Sequence, residues 1–110
     1  MRERREGNAV ILECSGELDY STFNHGDDTV KRLIEKGCTT VVFDLHEVKY
    51  ISSSGWTVFL GNLKQAREGG GNLLLAAMQK EVKASFSLLE LDNLIDYYET
   101  VDEAVKKAGK

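Results

Sequence analysis

The run of residues 39–45 restricts the possible folds more than any other part of the sequence. It reads Thr-Thr-Val-Val-Phe-Asp-Leu, so β-branched and apolar residues occupy both alternating faces. A strand with two apolar faces has to be covered on both sides, as in the middle of a parallel sheet flanked by helices. The run therefore predicts an α/β domain built around this central strand.

Segments with strand and helix patterns alternate along the rest of the chain. The clearest amphipathic helix places Trp56, Phe59, Leu60 and Leu63 at i, i+3, i+4 and i+7. In chain order we predict strands at 2–6 and 10–14, a helix at 27–36, the central strand, and then the amphipathic helix, which ends at Gly69–Gly71. A strand at 72–77 follows, and then a helix that carries Val82, Phe86 and Leu89 on one face up to a break at Asp92–Asn93. The chain continues with a strand at 95–98 and a last helix, which begins at a Thr100–Glu103 capping box.

The connections between these elements define the sheet. Strands separated by helices are joined by right-handed parallel crossovers, whereas the short Gly7-Asn8 turn joins the first two strands as a hairpin. The fold class is therefore α/β, with a mixed sheet of four to five strands, an N-terminal antiparallel edge and about four helices.

Length and charge narrow the classes of function. A chain of 110 residues suits one domain spanning 1–110 with a single core. Lysine and arginine number 14 against 18 aspartate and glutamate, which gives a net charge of −4, and the basic clusters lie at the two ends. This balance provides no general attraction to nucleic acid or anionic lipid, so we expect no direct nucleic-acid partner.

Cysteine use and hydropathy indicate the compartment. Cys14 and Cys38 cannot form a disulfide framework, and the charged N-terminus is not followed by a signal-peptide core. The longest apolar run, Leu73–Met78, is far shorter than the ~20 residues of a membrane helix. We expect a cytoplasmic protein with reduced thiols and no membrane span.

Sequence signatures of enzymes and metal sites are missing. His46-Glu47 lacks the second histidine of a zinc-protease motif, and Gly69–Gly71 follows a helix, where a phosphate loop would follow a strand. No G-x-S-x-G elbow surrounds any serine. We therefore expect no enzymatic activity, no catalytic residue, no metal site and no cofactor.

A few polar residues allow two interpretations each. His25 and His46 are either loop residues or metal ligands, and one pair alone favours the former. Asp19 and Asp44 follow strand-like runs and could form a carboxylate pair, although hydrogen bonding within loops is the commoner use. Cys14 alternates inward with its apolar neighbours, which predicts a small core residue.

Three consecutive serines, Ser52–Ser54, stand between the central strand and the amphipathic helix. One of them is expected to cap the helix by accepting a backbone N–H. A helix N-terminus also carries unpaired N–H groups and a partial positive charge, so the fold would tolerate a phosphate there. A phosphoserine would add about −1.5 to −2 charges without unfolding the helix. The cluster is thus either a cap alone or also a covalent switch.

The order of four segments resembles a STAS domain, and specifically the small bacterial anti-sigma factor antagonists. They are Gly16–Asp19, Val41–Leu45, Ile51–Gly55 and Leu88–Ile95. In that family the helix-start motif usually reads Asp-Ser-Ser/Thr-Gly-Leu, and the anti-sigma factor, itself a serine kinase, phosphorylates the serine after the aspartate. Carried over by position, the phospho-acceptor is Ser53. The sequence departs from the motif at Ser52, in place of the aspartate, and at Trp56, in place of leucine.

The resemblance implies a single STAS domain over 1–110 that binds an anti-sigma kinase and releases a sigma factor. Phosphorylation would switch it off at the start of the second helix, and a protein phosphatase would reset it; ATP and magnesium belong to the kinase. Val58 is expected on a helix face turned away from the core. The alternative is a constitutive STAS binding module of a lipid-transport or signalling-scaffold complex. The expected partner surface comprises Asp19, Ser52, Ser53, Ser54, Gly55, Trp56, Thr57, Val58, Gly61, Asn62 and Gln65.

Overall fold

One five-stranded sheet organises the computed structural model, which describes residues 2–7, 9–19, 21, 31–33, 35–37 and 40–108. The β1 strand pairs antiparallel with β2, and β2, β3, β4 and β5 follow as parallel neighbours. This arrangement confirms the predicted mixed sheet with an antiparallel N-terminal edge. The strands are β1 (Arg2–Glu6), β2 (Ala9–Leu18), β3 (Thr40–Ile51), β4 (Asn72–Ala76) and β5 (Tyr97–Tyr98).

A helix follows each of the strands β2 to β5 in the predicted order. The helices are α1, of which residues 21, 31–33 and 35 are described, α2 (Ser53–Glu68), α3 (Lys80–Leu88) and α4 (Val101–Ala108), with a 3₁₀ turn at Leu91–Asn93. Lys36, the last residue of the predicted 27–36 helix, lies in a turn, and residues 27–30 and 34, together with His25, Cys38 and Thr39, lie outside the described residues. No helix in the described ranges is long and apolar enough to cross a bilayer.

The β3 strand has two parts with different neighbours. Thr40–Asp44 pairs with both β2 and β4 and is buried, as its two apolar faces predict. From His46 to Ile51 the strand pairs with β2 alone, so polar residues become exposed. The prediction that His46 is a loop residue is wrong, because His46 lies within β3. Two register shifts against β2 each add one residue to β3, and these extra residues break the two-residue alternation that would have revealed the strand.

The sheet buries a hydrophobic cluster on each face. Val41 and Phe43 face the larger cluster under α2 and α3, whereas Val42 faces a smaller one under Ala104 of α4. Cys14 belongs to the larger cluster, which confirms its predicted core position, and burial raises the pKa of its thiol to about 12. The thiol therefore stays protonated near neutral pH and is a poor nucleophile.

The end of α3 differs from the prediction. Val82 and Phe86 are buried, but Leu89, expected on the same face, is the C-cap residue and is 48% exposed. The helix ends because Glu90 adopts a left-handed backbone with φ 58°, which turns the chain into the 3₁₀ turn. The 3.6-residue period therefore stops one residue before Leu89.

Candidate functional site at the start of helix α2

The three serines lie where β3 leads into α2. Ser52 is the N-cap: its backbone is extended, and its Oγ accepts the Gly55 N–H at 3.1 Å. The Ser52 and Ser54 hydroxyl oxygens lie 2.9 Å apart and share a hydrogen bond. The predicted cap is therefore Ser52, the residue at the aspartate position of the motif.

Backbone contacts hold the start of α2 against the end of β2. The Ser52 N–H donates to the Leu18 carbonyl at 2.9 Å. A Cβ at Gly55 would lie 2.8 Å from that same oxygen and 3.1 Å from Ile51 Cγ2, so only glycine fits without displacing backbone. Because Asp19 follows Leu18, this contact also brings Asp19 to the serine end of α2. The Asp19 carboxylate accepts the Ser21 hydroxyl at 2.8 Å.

Ser53 is the first residue of α2, and its side chain is exposed. Its carbonyl accepts the Thr57 hydroxyl at 3.0 Å, but its own hydroxyl makes no hydrogen bond to any residue in the described ranges. The first turn of α2 contains no acidic side chain. The Ser53 hydroxyl is thus accessible at a helix end where the helix dipole favours negative charge.

Several residues expected on the partner surface lie inside the domain. Gly55 is buried, and Trp56 and Asn62 are each only 2% exposed. The Trp56 ring packs on Phe86 with 5.6 Å between ring centroids. The structure corrects the expectation for Val58, which is half-buried against the larger cluster. The buried arc of α2 is wider than the four-residue apolar pattern indicated, because it also includes Gly55, Asn62 and Ala66.

The remaining residues of the expected partner surface are exposed or partly exposed. Thr57, Gly61 and Gln65 are exposed along α2, next to the serines at its start. Leu18 was not predicted as part of the site, although its carbonyl accepts the Ser52 N–H and would clash with a side chain at position 55. Any residue at position 18 would carry this backbone carbonyl, so the residue type there does not predict the contact. The exposed or partly exposed members of the predicted surface are Asp19, Ser52, Ser53, Ser54, Thr57, Val58, Gly61 and Gln65.

The second group of polar residues lies elsewhere on the sheet. The buried Asp44 carboxylate accepts the His46 N–H at 3.1 Å and lies 3.0 Å from His46 Nδ1. This hydrogen bond and the charge of Asp44 raise the pKa of His46. Asp44 pairs in register with Glu13, six residues before Asp19, so the possible Asp19–Asp44 carboxylate pair does not form. Within the described ranges, no cluster of three or more potential ligands could hold a metal ion.

Known proteins match this chain in both sequence and fold. The STAS domain family matches residues 1–104. The anti-sigma-B factor antagonist of Bacillus subtilis is 26% identical over 93 residues, which cover 84% of each chain. A crystal structure from Thermotoga maritima superposes with a TM-score of 0.90 at 24% identity and covers 99% of this chain and 94% of its own. Bacillus SpoIIAA in the phosphorylated form superposes with a TM-score of 0.73 at 19% identity, covering 96% of both chains. This chain belongs to the STAS domain family.

Proposed function

We propose that this chain is an anti-sigma factor antagonist that binds an anti-sigma kinase, releases a sigma factor and is switched off by phosphorylation of Ser53. The supporting observation is the exposed Ser53 hydroxyl at the start of α2, with no hydrogen bond inside the described part of the chain. Relatives that share most of this chain's length carry the name anti-sigma factor antagonist.

The unmodified serine end offers a smooth surface for docking. Thr57 and Gly61 are exposed one and two turns after Ser53, and both are small enough to let a partner approach the helix closely. Ser52 keeps the cap that an aspartate would supply, since both residue types accept a helix N–H, but it brings no charge. The surface before phosphorylation is therefore nearly neutral along the first turn of α2.

Phosphorylation would change the charge of this surface without changing the fold. The Ser53 side chain faces solvent, so a phosphate needs no rearrangement of the core. Its charge of about −1.5 to −2 would be stabilised by the helix dipole in the free protein. In the complex the same charge would have to be desolvated against the kinase, which favours release. A phosphatase would restore the binding form.

A phosphotransfer assay with two adjacent serine variants tests the proposal. The purified anti-sigma kinase encoded in the same genome is incubated with ATP, magnesium and this protein, and the intact mass is measured. We expect a gain of one phosphoryl group in the native protein and in Ser54→Ala, and none in Ser53→Ala. Ser54 is the matched control because it is also exposed and lies one residue away. A mass gain that survives Ser53→Ala, or none in the native protein, contradicts the proposal.

A binding assay separates the switch from the constitutive alternative. Ser53→Asp, which places a carboxylate at the acceptor position, should bind the kinase at least tenfold more weakly than Ser53→Ala. Equal binding of the two variants would indicate a docking surface that the charge does not regulate. Recovery of a transport ATPase in place of the anti-sigma kinase in a pull-down would favour the constitutive STAS module.

A further inference from the structure

A groove runs along the C-terminal half of α2, away from the serine end. It has a volume of about 430 Å³ and is lined by Leu60, Leu63, Lys64, Arg67, Glu68 and Leu94. Arg67 closes one side, because its guanidinium donates to the Leu94 carbonyl at 3.2 Å and to Asn72 Oδ1 at 3.3 Å. The groove is therefore held between α2 and the turn that follows α3.

Exposed leucines surround this turn. Leu94 is 54% exposed, and Leu88 and Leu89, which precede the same 3₁₀ turn, are 83% and 48% exposed. Three large apolar side chains within seven residues are more than scattered surface hydrophobics, and such patches often mark a contact with another protein. None of the three is required to fill the core beneath, which Leu91 and Ile95 already close.

Lys64, Arg67 and Glu68 line the same groove, and the Arg67 guanidinium is already held by its hydrogen bonds to Leu94 and Asn72. Lys64 and Glu68 lie one helical turn apart on α2, yet neither forms an ion pair with another described residue. A partner with only acidic or only basic groups would satisfy one of them and repel the other. A surface that carries the same two groups in reverse order would satisfy both, and a second copy of this chain related by a two-fold axis provides it.

We propose that this groove is the contact surface of a homodimer in which the α2 helices of the two copies pack antiparallel. The two-fold axis passes between residues 64 and 68, so that Lys64 of each copy pairs with the partner's Glu68. Leu60 and Leu94 supply the apolar contact around the axis. Lys64 lies eleven residues after Ser53, about 16 Å along the helix, so the dimer leaves the serine end accessible.

Charge reversal tests the symmetry directly. Lys64→Glu places two pairs of glutamates in the dimer, and Glu68→Lys places two pairs of lysines, so each variant alone should be monomeric. The double variant restores both attractive pairs and should dimerise like the native protein. An equimolar mixture of the two single variants should also dimerise, because the two glutamates of one variant then face the two lysines of the other. Sedimentation velocity from about 1 μM to about 1 mM measures all five samples, a range that covers weak dimers.

The control variant is Lys106→Glu, an exposed lysine on α4 at the opposite face of the sheet, which should leave the dimer intact. Circular dichroism verifies that each variant is folded. A native protein that stays monomeric to the highest concentration refutes the proposal. So do single variants that remain dimeric, or a mixture that stays monomeric. Ser53→Ala should dimerise normally, so failure here is distinguishable from failure of the phosphorylation proposal.

Discussion

Replacing Gly55 by alanine should lower the free energy of unfolding by about 1–3 kcal/mol, although alanine is the better helix former. The added Cβ would lie 2.8 Å from the Leu18 carbonyl oxygen, 3.1 Å from Ile51 Cγ2 and 3.3 Å from the Leu18 carbonyl carbon. The two Leu18 atoms belong to the backbone of β2, so they cannot move aside as a flexible side chain would. Helix α2 has to retreat from the sheet instead.

The magnitude follows from three opposing contributions. Overpacking of one methyl group costs roughly 1–3 kcal/mol. Retreat of the helix also stretches the 2.9 Å bond from the Ser52 N–H to Leu18, a bond of a kind worth about 1 kcal/mol. Replacing glycine by alanine in a helix returns about 0.8–1.0 kcal/mol. The net effect is a loss of about 1–3 kcal/mol.

Urea unfolding followed by circular dichroism measures this loss, with Gly61→Ala as the matched control. Gly61 lies in the same helix, and a Cβ there meets nothing within 4 Å, so this variant should gain up to about 1 kcal/mol. The two substitutions are chemically identical, and only their surroundings differ. If Gly55→Ala is as stable as the native protein, or if both variants shift in the same direction, the close approach of α2 to β2 does not limit the residue at position 55.

Three further changes test other parts of the structure. Thr100→Ala should lower the free energy of unfolding, measured in urea, by about 1 kcal/mol because the Thr100 hydroxyl accepts the Glu103 N–H at 3.1 Å. Thr100→Ser should retain most of the stability, and equal losses in the two variants would exclude a capping role for Thr100. Asn62→Leu should raise the thermal midpoint because the buried Nδ2 group has no hydrogen-bond partner in the described ranges; a lower midpoint would mean that the amide is satisfied. Because the pKa of His46 is raised, the folded state binds the imidazole proton more tightly than the unfolded state does. Protonation of His46 therefore stabilises the fold; this contribution is complete below pH 6.5 and is lost as pH rises through the higher pKa of the folded state. Urea midpoints between about pH 5.5 and 8.5 should therefore fall more in the native protein than in His46→Gln, and parallel curves would refute the linkage.

The element order and sheet topology could be predicted because they depend on spacing along the chain. The two-faced apolar run at β3 required helices on both sides of the sheet, and the clusters under α2 and α4 provide them. The caps at Ser52 and Thr100 were also predictable, since a capping side chain bonds a backbone group only three residues away.

The candidate site was only partly predictable, because the burial of its residues does not depend on spacing along the chain alone. Its location at Ser52–Ser54 came from the sequence, but the accessibility of each residue depended on neighbours distant in the chain. Trp56 and Asn62 are buried because the sheet and its flanking elements cover a wide arc of α2, which a helical wheel alone does not show.

The sequence by itself determined the α/β class, the order of elements and the position of the serine cap, because local periodicity and short-range hydrogen bonds encode them. The tertiary structure decided that Gly55 serves close packing against Leu18, that β3 continues to Ile51, and that Lys64 and Leu94 share one groove. Each of these features joins segments at least 30 residues apart or depends on how β3 shifts register against β2. No repeating pattern within one segment carries that information.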